Sequence, residues 1–308
     1  MSLKTCLYSI TYLGIWYKGE ALTWQDVLAR AKKFGYDGVE FDCKRPHANP
    51  MDWTEDVRKA VVDQAGTLGL ALPVLSADND FSSPVPEHRE AQLLMVKEQL
   101  RLAADLGCKV LRVFAAWPGI TMRDGMATYE EARGNWERSF RDVPFLQRWR
   151  FVRDTLKEAC KYAGEYGVTM ALQNHPPIVG TWRDVYDMVT EVDSPWLKVC
   201  FDLNQECDDP AIIHEAFDTI GSMDVHYHYN GEWERKDGVL MPKRCLHHDP
   251  LVNYGEFLKE MKRVGYNGYL SYEFCHPAMD GSDPAGIDYV DGQAQMALEY
   301  TKGLMANS

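Results

Sequence analysis

No run of apolar residues in this 308-residue chain approaches the roughly 20 needed to cross a bilayer. The opening stretch MSLKTCLYSITYLGIWYKGE has neither a basic-then-apolar leader pattern nor a small-residue cleavage site, so a cytoplasmic location and no membrane partner are expected. Positive charge is scarce: 33 Lys and Arg stand against 46 Asp and Glu, a net charge of −13. That field repels a phosphate backbone, which argues against a nucleic-acid partner but not against a divalent cation or a neutral sugar. No C-x-x-C pair occurs. The 8 cysteines (Cys6, Cys43, Cys108, Cys160, Cys200, Cys207, Cys245 and Cys275) stand singly, as reduced core thiols do. Phosphate-cradling loops of the G-x-G-x-x-G and G-x-x-x-x-G-K-[ST] types are also missing, which argues against an open doubly wound sheet.

What is present is one recurring unit. An amphipathic helical stretch ends in glycine and an apolar β-type run follows, at Gly35, Gly69, Gly107, Gly167, Gly221 and Gly265. Glycine takes the left-handed conformation that closes a helix. The runs are short, continuous and rich in Val, Leu, Phe and Tyr, as suits strands covered on both faces. TCLYSITYL near Cys6 and SPWLKVCFDLN, punctuated by Pro195, bring the set to about eight, the number that a single-domain (β/α)8 TIM barrel over residues 1–308 requires. One connection is long. From Trp117 to about Arg150 it carries Arg123, Arg133, Arg138, Arg141, Arg148 and Arg150, and it reads either as a lid or oligomer contact or as a solvated helix.

Barrel enzymes place their chemistry at the C-terminal ends of strands. The fifth run ends at Gln173, followed by Asn174 and His175. The sixth ends at Asp202, followed by Asn204 and Gln205. The seventh ends at His228, with His226 two residues earlier on the same face, and the eighth at Glu273, with His276 beyond. Each residue alone has an ordinary structural use, as a core hydrogen-bond partner, a helix cap or an ion-pair member. Polar residues at four consecutive strand ends instead suggest a site for one divalent metal ion, with Mn²⁺ first and Mg²⁺, Co²⁺ or Zn²⁺ as alternatives.

These runs resemble the sugar-phosphate isomerase/epimerase family, the xylose isomerase-like TIM barrels. The resemblance rests on FGYDGVEF, LGCKVLRV, GVTMALQNH, VCFDLNQ, VHYHYNGE and GYNGYLSYE, in that order, and covers most of the chain. It implies metal ligands at Gln173, Asp202, His228 and Glu273, and sugar contacts from Glu232 and Arg235, the latter offset by one residue. The family's usual strand-five glutamate, a ligand and a base, is Gln173 here. The His often found three residues after the strand-six Asp is Gln205. An amide can ligate through oxygen but cannot take a proton near pH 7.

The chemistry expected is therefore metal-dependent isomerisation or epimerisation of a small-molecule sugar or polyol, by proton abstraction next to a carbonyl. Glu273 is the base, with His175, His226 or Glu232 as its acid partner. A lyase acting by β-elimination, such as a dehydratase or an enzyme cleaving 3-keto glycosides, is the alternative. A non-catalytic sugar-binding barrel is a second one. The resemblance also implies a homo-oligomer, and allows a small accessory subunit. Trp16, Phe81, Trp117 and Trp233 are candidates to stack on a sugar face. Glu40, Lys44, Arg45 and His47, in and after the second run, are candidates for hydroxyl or phosphate contacts.

Overall fold

Each of the eight runs becomes one strand of a closed parallel barrel. The computed structural model describes residues 3–205, 209–243 and 251–307; Cys207, Cys245 and the side chain of Gln205 lie outside the described residues. The strands are β1 Lys4–Tyr8, β2 Gly38–Asp42, β3 Val74–Ser76, β4 Val110–Val113, β5 Thr169–Gln173, β6 Leu197–Asp202, β7 Asp224–Asn230 and β8 Tyr269–Glu273. Neighbours in the barrel follow chain order, and β8 closes on β1 through the pairs Lys4–Tyr269 to Leu7–Tyr272.

Helices fill the connections: α1 Trp24–Phe34, α2 Glu55–Leu68, α3 Pro86–Leu106, α4 Glu130–Ser139, α5 Phe145–Tyr166, α6 Trp182–Val192, α7 Pro210–Ile220, α8 Tyr254–Arg263 and α9 Ile287–Asn307. Their starts are set locally. Thr23 and Thr181 close capping boxes with Asp26 and Asp184, satisfying backbone N–H groups that the first turn leaves without partners. Their apolar faces then bury against the outer side of the barrel, so β2 and β3 are covered at every position.

The punctuation holds with two differences. Gly35, Gly69, Gly107, Gly167 and Gly265 have positive φ, but Gly221 is right-handed at φ −58°. A Cβ there would stand 2.5 Å from the Phe217 carbonyl, so close backbone approach, not handedness, requires glycine. Before β6 the left-handed position is taken by Asp193, at φ 49°. The long connection is ordered: a hairpin of Thr121–Arg123 with Met126–Thr128, then α4, with α5 already under way by Phe145. Among the described residues Cys6, Cys43, Cys108, Cys160, Cys200 and Cys275 are free thiols, all but the last buried.

Candidate active site

Parallel register brings the predicted ligands together. Asp202 lies opposite His228 across β6 and β7, and Glu273 lies opposite Asn230 across β7 and β8. Gln173, Asp202, His228 and Glu273 are all buried. Gln173 Nε2 donates to Asp202 Oδ2 at 2.9 Å, which leaves Gln173 Oε1 without a partner. His228 Nδ1 also has no hydrogen-bond partner and lies 3.7 Å from Glu273 Oε2, while Asn230 Nδ2 donates to Glu273 Oε1 at 3.3 Å. Asn174 ties the β5 end to β6 through the Asp202 backbone, and Asn204 ties β6 to β7 through that of Asn230.

The state of His228 follows from its other nitrogen. His228 Nε2 meets Glu40 Oε1 at 2.9 Å, and His226 Nε2 meets Glu40 Oε2 at 2.8 Å. Burial alone would push the Glu40 carboxyl up, but the two rings facing it hold it well below the usual carboxylate range. An ionised carboxylate only accepts, so each Nε2 carries a proton, and in a neutral His228 ring Nδ1 is a bare lone pair. Burial pulls His228 down to about 4, so the ring is neutral at pH 7.

This donor set fits a divalent cation: an amide oxygen, an imidazole lone pair and two carboxylates, with two of the acceptors orphaned in a dry site. Burial and the neighbouring Asp202 charge push Glu273 up to about 8, a repulsion that a cation would relieve. Among the described residues, Glu40, His226 and His228 bring ligand atoms within 4.8 Å of one another, which Asp202, His228 and Glu273 do not. We read that trio as the support beneath the site. Glu40 Oε1 already accepts from Ser76 Oγ and His228, and Oε2 accepts from His226, so three of the carboxylate's four acceptor sites are committed to orienting its neighbours.

Above this lies a small pocket at the barrel mouth. Gln173, His175 and Glu273 line it from the β5–β8 side, and Tyr8, Lys44, Asp78 and Arg112 from the β1–β4 side. Trp16, Phe114, Trp117 and Tyr129 supply aromatic walls, so the start of the 117–150 connection lines part of the cavity. His175 Nδ1 donates to the Pro176 carbonyl at 2.7 Å, leaving Nε2 as its basic atom. Phe114 and Trp117 pack edge-on against the ring, and burial pulls it down to about 4.

Several expected site residues are placed elsewhere. His226 does not reach the cavity; it sits beneath it, bonded to Glu40. Glu232 is engaged by His276 Nε2 at 3.1 Å, Lys243 Nζ at 2.7 Å and Tyr289 OH at 2.7 Å, whose bonds outweigh burial and hold it at about 2, too acidic to deliver a proton near neutrality. Arg235 points to the outer helix α9 and pairs with Glu299 at the surface, because its hairpin, Glu232–Lys236 with Val239–Lys243, packs on that helix. Phe81 is fully buried in the core, and Trp233 packs among Tyr229, Tyr254, Tyr272 and Tyr300. Of the charges after β2, Arg45 pairs with Asp52 at the surface and His47 donates to the Leu22 carbonyl, so only Lys44 meets the cavity. Asp78, Arg112 and Tyr8 were not expected in the site. The signal for Arg112 was present: a lone charge inside VLRV, as Glu40 is inside GVEFD.

Residues 28–295 match the xylose isomerase-like TIM barrel family. An uncharacterised protein of Methanocaldococcus jannaschii, MJ1311, is 28% identical over 125 residues, 39% of this chain; the matched part spans 41% of that relative's length. Among solved structures, a D-psicose 3-epimerase with D-tagatose from Clostridium cellulolyticum H10 has a TM-score of 0.72 at 19% identity, covering 98% of this chain and 99% of that one. A 3-keto-D-glucoside 4-epimerase of E. coli, in its apo form, has a TM-score of 0.66 at 18% identity, covering 96% and 100%. An L-ribulose 3-epimerase has a TM-score of 0.68 at 16% identity, covering 99% and 95%. At these identities the likeness establishes the shared fold. No helix among the described residues is long and apolar enough to cross a membrane.

Proposed function

The chain belongs to the xylose isomerase-like TIM barrel family, and from that premise we propose that it is a sugar isomerase or epimerase using one divalent metal ion. Gln173 Oε1, an oxygen of Asp202, His228 Nδ1 and an oxygen of Glu273 would hold the ion, Mn²⁺ first. The observation that carries this reading is the pair of orphaned buried acceptors, Gln173 Oε1 and His228 Nδ1, beside two mutually repelling carboxylates. A bound divalent ion supplies polarisation of the carbonyl and hydroxyl oxygens of a substrate.

The chain's own residues do the rest. Glu273 takes the proton next to the carbonyl, and Asn230 orients its carboxyl. His175 Nε2, on the same cavity, is a bare lone pair in the neutral ring and serves as the second proton acceptor, not the acid first expected, in place of what the Gln173 amide cannot do. The aromatic walls cover the apolar faces of the sugar and exclude water. A matched carboxylate pair suits epimerisation; here the two groups are unlike, a carboxyl and an imidazole. That difference favours aldose–ketose isomerisation within this reading, and supports β-elimination as the second reading.

The test is metal analysis of the purified protein, melting with and without a chelator, and a screen of free, phosphorylated and 3-keto sugars for isomerised and eliminated products. About one divalent ion per chain is expected. At a hundredfold excess over its dissociation constant, the ion contributes about 2.7 kcal/mol, several degrees of melting temperature. A protein without metal that ignores the chelator would sink the proposal.

A further inference from the structure

The β1–β4 side of the cavity carries its own polar device. Lys44 Nζ pairs with Asp78 Oδ2 at 2.6 Å, and both side chains stay partly open to the cavity, 29% and 18% exposed. Behind them Arg112 is almost fully buried, and its donors are committed to neutral acceptors. Nη1 donates to the Ala77 carbonyl at 2.6 Å, Nη2 to Tyr8 OH at 2.5 Å and Nε to Ser76 Oγ at 3.1 Å. Its guanidinium lies 4.0 Å from the centroid of the Phe114 ring and 3.9 Å from Asp78 Oδ1, which fixes the carboxylate's place without closing a tight pair. Asp42 accepts hydrogen bonds from Tyr8 OH at 2.5 Å and from the Lys44 backbone N–H at 2.7 Å.

The charges in this wall balance: Lys44 and Arg112 against Asp78 and Asp42. A phosphate entering here would meet the Asp78 carboxylate and would have to break the Lys44–Asp78 pair to reach a cation. A vicinal diol has no such conflict. One hydroxyl accepts from a remaining ammonium proton of Lys44, and its neighbour donates to Asp78. The surrounding Trp16, Phe114 and Trp117 rings suit the C–H face between them.

We propose that Lys44 and Asp78 clamp two adjacent hydroxyls at the far end of an uncharged, unphosphorylated keto sugar, with Arg112 as the positioning residue behind them. This rests on the reading that the Gln173–Glu273 side holds the carbonyl end. The clamp would set which sugars fit and exclude their phosphate esters.

Tryptophan fluorescence titrations test it with D-fructose, D-tagatose, L-ribulose and D-fructose 6-phosphate, on wild type, Asp78→Asn and Lys44→Gln, each with Mn²⁺ and with a chelator. Wild type is expected to bind at least one free ketose and to bind the phosphate ester more weakly than D-fructose. Asp78→Asn is expected to weaken the free ketose about tenfold, the effect of losing a hydrogen bond to a charged group, yet to strengthen the ester, because Lys44 is released. Opposite signs are not what a loosened fold produces. Lys44→Gln should weaken both, and it decides alongside the wild-type preference should Asp78→Asn fail to fold. The clamp is overturned if no ketose binds saturably, if wild type prefers the ester, or if Asp78→Asn weakens both ligands alike or changes neither. A failed carbonyl-end reading would show separately, as ketose binding indifferent to Mn²⁺ with the opposite signs intact.

Discussion

The two sides of the barrel mouth are both polar, the β5–β8 side the more buried, and they differ in how that polarity is satisfied. On the β1–β4 side, Lys44 answers Asp78, and Arg112 answers Tyr8, Ser76 and Ala77. On the β5–β8 side, Gln173 Oε1 and His228 Nδ1 answer nothing, and Asp202 and Glu273 repel each other. A buried polar atom left unpaired costs about 1–3 kcal/mol. Two such atoms at one barrel end are what the proposed cation would satisfy. In the proposed reading the ion-paired side recognises a ligand and the other holds the cation.

The largest way to break this comparison is Glu273→Gln. If the β5–β8 side does the chemistry, turnover of any sugar found by screening should fall about 10²- to 10⁴-fold, with a smaller change in KM. Steady-state kinetics at saturating Mn²⁺ would check it, and a variant that keeps its kcat would remove Glu273 from the role of base.

The next sharpens the link between the sides. Glu40 belongs to β2 but sets the tautomer of His228 on β7. Glu40→Gln can present an amide N–H or its carbonyl oxygen to either ring, so the Nδ1 lone pair is no longer enforced. Metal affinity should drop about 10- to 100-fold, as for other groups that orient a ligand, and calorimetric Mn²⁺ titration reads it directly. Unchanged affinity would mean that packing alone orients the ring.

The smallest effect concerns Glu232, off the cavity. Its folded value of about 2 lies below the ordinary 4.5, so its bonds stabilise the fold above pH 4.5 and that contribution disappears as pH falls through about 2. Glu232→Gln should flatten the loss of melting temperature across that window while leaving Mn²⁺ affinity near wild type. Identical acid profiles for the two proteins would contradict this ion-pair account.

Much of this was legible in the residues. The helix–glycine–strand unit gave the barrel because each step is local: a left-handed closure, then a run apolar on both faces. That Gln173, Asp202, His228 and Glu273 stand at the ends of neighbouring strands was legible because strand ends in a barrel are neighbours whatever the loops do. His175, Trp16 and Trp117 reached the cavity for the same reason, lying just beyond their strands. Arg235 and Glu232 were misplaced because both follow a strand end into a hairpin whose packing on α9 is invisible in a linear pattern. Phe81 and Trp233 failed similarly, since an aromatic near a strand end can face the cavity or the core, and neighbours decide.

By itself the sequence determined the barrel and the polar residues at its β5–β8 strand ends, with an amide at Gln173. Only the tertiary structure decided which nitrogen of His228 is free, that Glu40 holds both histidines, and that Lys44, Asp78 and Arg112 face the same cavity. The reason is separation. Glu40 lies 186 and 188 residues from its two histidine partners, and no local periodicity reports which donor a buried acceptor will meet once the barrel has closed.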